Sequence, residues 1–135
     1  MITAGALIIT LKILVAGVTL LFLSSLVALM KGRVRLHGRI NLVFFILTMI
    51  TLFVFELVIR VVQPELMSTL ENDARIANPL KIHLYFAIPS ALLMPFMLIT
   101  GLKHYRRAHL TLAVCFGILW AGTVITGIFF LPHSL

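Results

Sequence analysis

The sequence predicts an all-α integral membrane protein built as an up-down-up-down four-helix bundle. Three observations predict it. Hydrophobic residues make up 61% of 135 positions, with a mean hydropathy of +1.17, more apolar surface than a soluble fold of this size can bury. Only 11% of residues are charged, and most fall between four long apolar runs. Two of the three connections between those runs are short, which forces antiparallel neighbours.

The first run extends from Ile8 to Met30, and the residues from Ile2 onward are already apolar apart from Lys12. It does not read as a signal peptide, because its basic residues follow the apolar stretch rather than precede it. The second run is Ile40–Val62, the third Ile82–Leu102 and the fourth Leu110–Leu131. Each can cross roughly 30 Å of hydrocarbon. Residues 31–39 and 103–109 are expected as tight connections and residues 63–81 as one long loop, all within a single domain spanning 1–135. No internal repeat is evident at this level. Pro89 and Pro95 are expected to kink the third helix.

Charge sets the expected orientation. Lys31, Arg33, Arg35 and Arg39 occupy the first connection and Lys103, Arg106 and Arg107 the third, without an acid in either. The central loop mixes Glu65, Glu71 and Asp73 with Arg75 and Lys81. The positive-inside rule then puts both short connections in the cytoplasm, and both termini with the central loop outside. Lys12 is expected to snorkel to the outer interface. The net charge of +7 is therefore a topology signal and not a nucleic-acid footprint, since it is confined to span ends.

Small residues mark expected helix-packing faces: Ala113, Gly117 and Ala121 on the fourth span, Gly122 with Thr126 on another face of it, and Ala87 with Ala91 on the third. Within the second span Glu56 and Arg60 are four residues apart, the order that favours an ion pair on one helix face. A structural pair explains them better than a proton path, because no second acid continues the route.

Five histidines remain. His37 precedes the second span, His83 opens the third and His109 the fourth, while His104 and His133 lie in a connection and the tail. His37 and His109 share the cationic end on helices expected to lie diagonally in a bundle. His37, Asn41, Thr48 and Thr51 form a polar seam. Neutral imidazole ligates haem iron, copper or zinc, and bundles hold such groups between helices. The alternative is interfacial histidines bonding headgroups or loop carbonyls. The lone Cys115 excludes a CxxxC copper site and a CxxCH haem attachment. There is no HExxH, no phosphate-cradling Gly loop and no nucleophile–base constellation, so an enzyme is not expected. Four spans are also few for a transporter.

Three segments, RLHGRINLVFFILTMITLFVFELVIR (35–60), IHLYFAIPSALLMPFMLITGL (82–102) and HLTLAVCFGILWAGTVITGIFF (109–130), resemble the CtaM/YozB family of small four-helix bacterial membrane proteins of cytochrome oxidase biogenesis. The match places His37, His83 and His109 on family histidines, and His109, Ala113, Trp120 and Thr126-Gly127 fit the spacing of its closing helix. A fourth family histidine is replaced by Val61, a family proline by Ile118, and an aromatic by Glu56. The resemblance implies a non-catalytic bacterial plasma-membrane protein that supports a haem-copper terminal oxidase as assembly or accessory factor. Haem b or copper is a candidate cofactor, with His37 and His109 as an inner ligand pair and His83 as an outer ligand that has lost its partner. The expected partner is a larger membrane complex, a terminal oxidase or other electron-transport assembly. Two other roles are open: an integral subunit of a respiratory or photosynthetic complex, and a small b-type cytochrome with bis-histidine haem.

Overall fold

The computed structural model describes residues 3–131, which leaves His133 outside the described residues. The chain is all-helical. Helix α1 (Ala4–Met30) and α2 (Val34–Leu57) form one antiparallel hairpin. The short α3 (Glu65–Asn72) leads to α4 (Ala74–Leu102) and α5 (Arg106–Ile125), which form a second. Both α2 and α5 run on into a π-helical segment, Val58–Val62 and Thr126–Phe130. Four of these helical stretches are long and apolar enough to cross a membrane, so the chain has the build of a multi-pass membrane protein in a lipid bilayer.

The helices begin earlier than hydropathy alone predicts. The second starts at Val34 rather than Ile40, and the fourth at Arg106 rather than Leu110. Arg35, Arg39, Arg106 and Arg107 are thus helical, and the two tight turns shrink to residues 31–33 and 103–105. The long loop expected over 63–81 is a correction. It holds α3 and the first two turns of α4. Leu66 and Leu70, four apart, bury one face of α3, while Asp73 caps α4 by accepting a hydrogen bond from the Arg75 amide at 2.9 Å. Pro79 lies inside α4, in its second turn, and the helix runs on through it.

Water does not drive helices together inside a bilayer, so packing and hydrogen bonds must. Two clusters do the packing. At the end carrying α3, the residues Leu7, Ile8, Ile59, Leu66, Leu70, Ile76 and Leu131 meet. At mid-height Val18, Phe44, Met94, Phe116 and Trp120 join the hairpins. Trp120 stacks on Phe116 at 5.6 Å and meets Phe44 edge-on at 5.2 Å, and its Nε1–H donates to Thr19 Oγ1 at 3.1 Å. Aromatic rings from both hairpins therefore fill the middle of the bundle.

The two hairpins repeat each other. Lys31, Arg35, His37, Phe44, Ile46, Leu47 and Thr51 recur at a constant offset as Lys103, Arg107, His109, Phe116, Ile118, Leu119 and Thr123. Their turns share one backbone geometry: a left-handed residue, Gly32 (φ 75°) or His104 (φ 58°), sits between matching pairs of closing bonds. Those bonds are Lys31 N to Val27 O with Arg33 N to Ala28 O, and Lys103 N to Ile99 O with Tyr105 N to Thr100 O. The equivalent Phe44 and Phe116 are both buried, 6.1 Å apart between ring centroids. A repeat is thus present where hydropathy alone suggested none, because the matching residues are scattered among interchangeable apolar ones.

Candidate functional site: three histidine clasps

Three histidines each reach the backbone of the helix antiparallel to their own. His37 and His109 do so from the first turn of α2 and α5, and His83 from the third turn of α4, which begins at Ala74 and so is not opened by His83. His37 Nδ1 lies 3.0 Å from Ser25 O on α1, His83 Nδ1 lies 3.1 Å from Thr123 O on α5, and His109 Nδ1 lies 2.9 Å from Met97 O on α4. A carbonyl only accepts, so Nδ1 carries a proton in all three rings. Ser25 and Met97 each precede their histidine by the same 12 residues, as the repeated turn requires.

His83 and His109 are seated alike. Thr126 Oγ1 is 3.1 Å from His83 Nδ1, and Thr100 Oγ1 is 3.3 Å from His109 Nδ1. The next residue is glycine in both cases. A β-carbon on Gly127 would lie 2.9 Å from His83 Cε1, and one on Gly101 would lie 3.1 Å from His109 Cε1. Glycine is thus what lets each ring lie against the opposing backbone. Helices α4 and α5 share His-Leu followed, at the same distance, by Ile-Thr-Gly: His83-Leu84 with Ile99-Thr100-Gly101, and His109-Leu110 with Ile125-Thr126-Gly127. In an antiparallel pair, each histidine falls opposite the other helix's Thr-Gly. That repeated spacing was the sequence signal for Thr100 and Gly101, which hydropathy and motif reading passed over.

His37 is held by a closed network. Ser25 is fully buried, and its hydroxyl donates to Asn41 Oδ1 at 2.5 Å. The Asn41 amide lies 3.1 Å from His37 Nε2 and donates to it, so both ring nitrogens are engaged. Of the predicted seam of His37, Asn41, Thr48 and Thr51, the first three face inward, Thr48 buried with an unpartnered hydroxyl. Thr51 is half-buried and donates to Leu47 O of its own helix.

The three histidines do not meet. Each is hydrogen-bonded within its own hairpin, with His37 and His109 at the cationic end and His83 towards the other. Among the described residues no group of three or more His, Cys, Asp or Glu side chains is placed to hold a metal ion. The donor set does not fit a shared haem or copper ion, because both ring nitrogens of His37 are engaged.

Other predicted residues separate into contacts and surface. Gly122 carries the ring of Phe86 directly against its backbone, and Thr126 is buried beside His83, so that face joins α4 to α5. Ala87 and Ala91 are half-buried. On the other face, Ala113 is half-buried, Ala121 is exposed, and a β-carbon on Gly117 would meet nothing within 4 Å. Glu56 and Arg60 form their ion pair on the outside of the bundle. Lys12 donates to Leu131 O at 2.7 Å and, with His83, Gly127 and four apolar residues, lines a cleft of about 30 Å³, room for a single water.

No protein family, curated protein or solved structure matches this chain.

Proposed function

We propose that this protein is a non-catalytic bacterial plasma-membrane partner of a haem-copper terminal oxidase, acting as an assembly or accessory factor. Both termini lie outside and the two cationic turns face the cytoplasm. One observation carries the reading: most of the residues quoted for the family resemblance join helices. His37, His83, His109, Trp120 and the Thr126-Gly127 pair are all interhelix contacts. What the resemblance has in common is then a way of holding a bundle rigid, not a reaction.

A rigid, filled bundle acts through its outer surface. Its lipid-facing side is broad and apolar, from Ile13 and Leu20 on α1 to Phe53 on α2 and Phe96 on α4. Larger membrane proteins are the partners such a surface suits.

The test is detergent purification of the tagged protein from its native membrane, with mass spectrometry and a visible spectrum. Oxidase subunits are expected to co-purify, and deletion of the gene should lower the assembled oxidase in those membranes. A fixed stoichiometry with the mature complex would identify a permanent subunit instead. A Soret band belonging to the isolated chain would refute the non-catalytic scaffold and favour a b-type cytochrome. Absence of any electron-transport component, with normal oxidase in the deletion strain, would sink the proposal.

A further inference from the structure

We propose that the two repeated turns form a paired binding site for the headgroups of anionic phospholipids. The surface is defined by charge. Lys31, Arg33 and Arg35 on one turn and Lys103, Arg106 and Arg107 on the other are all exposed at the same end of the bundle. None has a carboxylate partner: the two ion pairs among the described residues are Glu56–Arg60 and Asp73–Arg75, both elsewhere. All the acids of residues 63–73 lie at the opposite end. Unpaired cations gathered on so small a surface repel one another, and phosphate diesters relieve that repulsion.

The apolar surroundings point to a lipid rather than a free ion. Met30 is 85% exposed and Leu102 69%, each directly before its turn lysine, with Val34 and Leu110 exposed just beyond. Guanidinium and ammonium groups bordering bare hydrocarbon match a molecule that is anionic at one end and apolar at the other. Backbone donors lie in the same place. Helices α2 and α5 begin here without a side-chain cap or an acid in the first turn, whereas α1 and α4, which begin at the far end, are capped by Thr3 and Asp73. The repeat supplies the pairing, since Lys31 and Arg35 of one turn occupy the positions of Lys103 and Arg107 in the other.

The experiment reconstitutes the full chain in phosphatidylcholine vesicles holding a trace of spin-labelled lipid, either phosphatidylglycerol or phosphatidylcholine. The fraction of immobilised probe gives relative affinity. A cation near the headgroups is worth about fivefold each, so phosphatidylglycerol is expected to win clearly at low salt and much less at high salt. The R35Q/R107Q variant should lower the ratio several-fold, while R35K/R107K keeps most of it. An R75Q/K81Q variant at the opposite end should keep it entirely. Added inorganic phosphate at a concentration matching the probe lipid should not compete. No preference in the native chain, equal loss in the R75Q/K81Q variant, or full competition by inorganic phosphate would overturn the proposal. If R35Q/R107Q fails to fold, the R33Q and R106Q single variants provide the same comparison, and an unchanged ratio in both would also overturn it.

Discussion

His83 lies so close to Gly127 that a β-carbon on the glycine would sit 2.9 Å from its Cε1. The ring cannot retreat easily, because Nδ1 is anchored on Thr123 O and Thr126 Oγ1. Gly127→Ala should therefore cost about 1–3 kcal/mol, the usual range for overpacking a tight contact. Gly117→Ala, on the same helix but with open space around it, should stay within about 0.5 kcal/mol of the parent. Thermal unfolding in mild detergent measures both. Equal losses would show that the seat of His83 is not what distinguishes them.

The clasp also predicts coupling. Replacing His83 by Ala removes both the hydrogen bond and the ring that Gly127 must accommodate. The double variant H83A/G127A should then be more stable than the sum of the two single losses predicts, by about 0.5–3 kcal/mol. Strict additivity in this cycle would mean that the two residues act independently.

How far the sequence could be read depended on the kind of signal. Four spans follow from hydropathy, because twenty apolar residues in a row have few other solutions. Glu56 and Arg60 pair as their spacing predicts. The segment 63–81 reads as a loop because its mixed charges separate two apolar runs, whereas burial of Leu66, Leu70 and Ile76 at the bundle end makes it helical. The histidines stand out in the sequence both as candidate ligands and, alternatively, as groups that bond headgroups or carbonyls. Their acceptors are backbone carbonyls, which every residue has, so nothing in composition announces Ser25 O or Met97 O as a partner. Only the repeat betrays them. On the face of Ala113, Gly117 and Ala121 the small-residue spacing is real, but Ala121 is exposed and a β-carbon on Gly117 would meet nothing within 4 Å.

Asp73 gives a prediction in pH. Hydrogen bonds from the Arg75 side chain and amide hold its carboxyl below the ordinary value of 3.8. A folded-state pKa that is depressed means the ionised form favours the fold. Its contribution is complete above the unfolded pKa and is lost as pH falls through the lower, folded value. The native chain should therefore lose part of its α4 cap in acid, below about pH 4. Asp73→Asn can still cap the helix but does not ionise, so this step should be absent from its stability profile. A carboxyl-carbon NMR titration locates the pKa directly, and a value at or above 3.8 would contradict the Arg75 contacts.

Trp120 reports on the junction of the hairpins. It is the chain's single tryptophan, 6% exposed, with its Nε1–H on Thr19 of α1. Thr19→Val keeps the shape and leaves that donor unsatisfied, at a cost of about 1–3 kcal/mol. Its emission should move to shorter wavelength as the hydrogen bond disappears.

His37→Ala and His109→Ala separate a clasp from a ligand. As clasps, they hold α1 to α2 and α4 to α5 through equivalent carbonyls, Ser25 O and Met97 O. Each substitution should lower stability by about 1–3 kcal/mol and leave the visible spectrum and the metal content of the purified protein unchanged. His37→Ala should be the costlier, because it also strands the buried Ser25 and its partner Asn41, whose mutual hydrogen bond the ring holds in place. Adding Ser25→Ala and Asn41→Leu to H37A removes those orphaned polar groups and should recover part of the loss. A ligand pair behaves differently: either substitution would abolish bound haem or copper together, and no repacking around Ser25 would restore it.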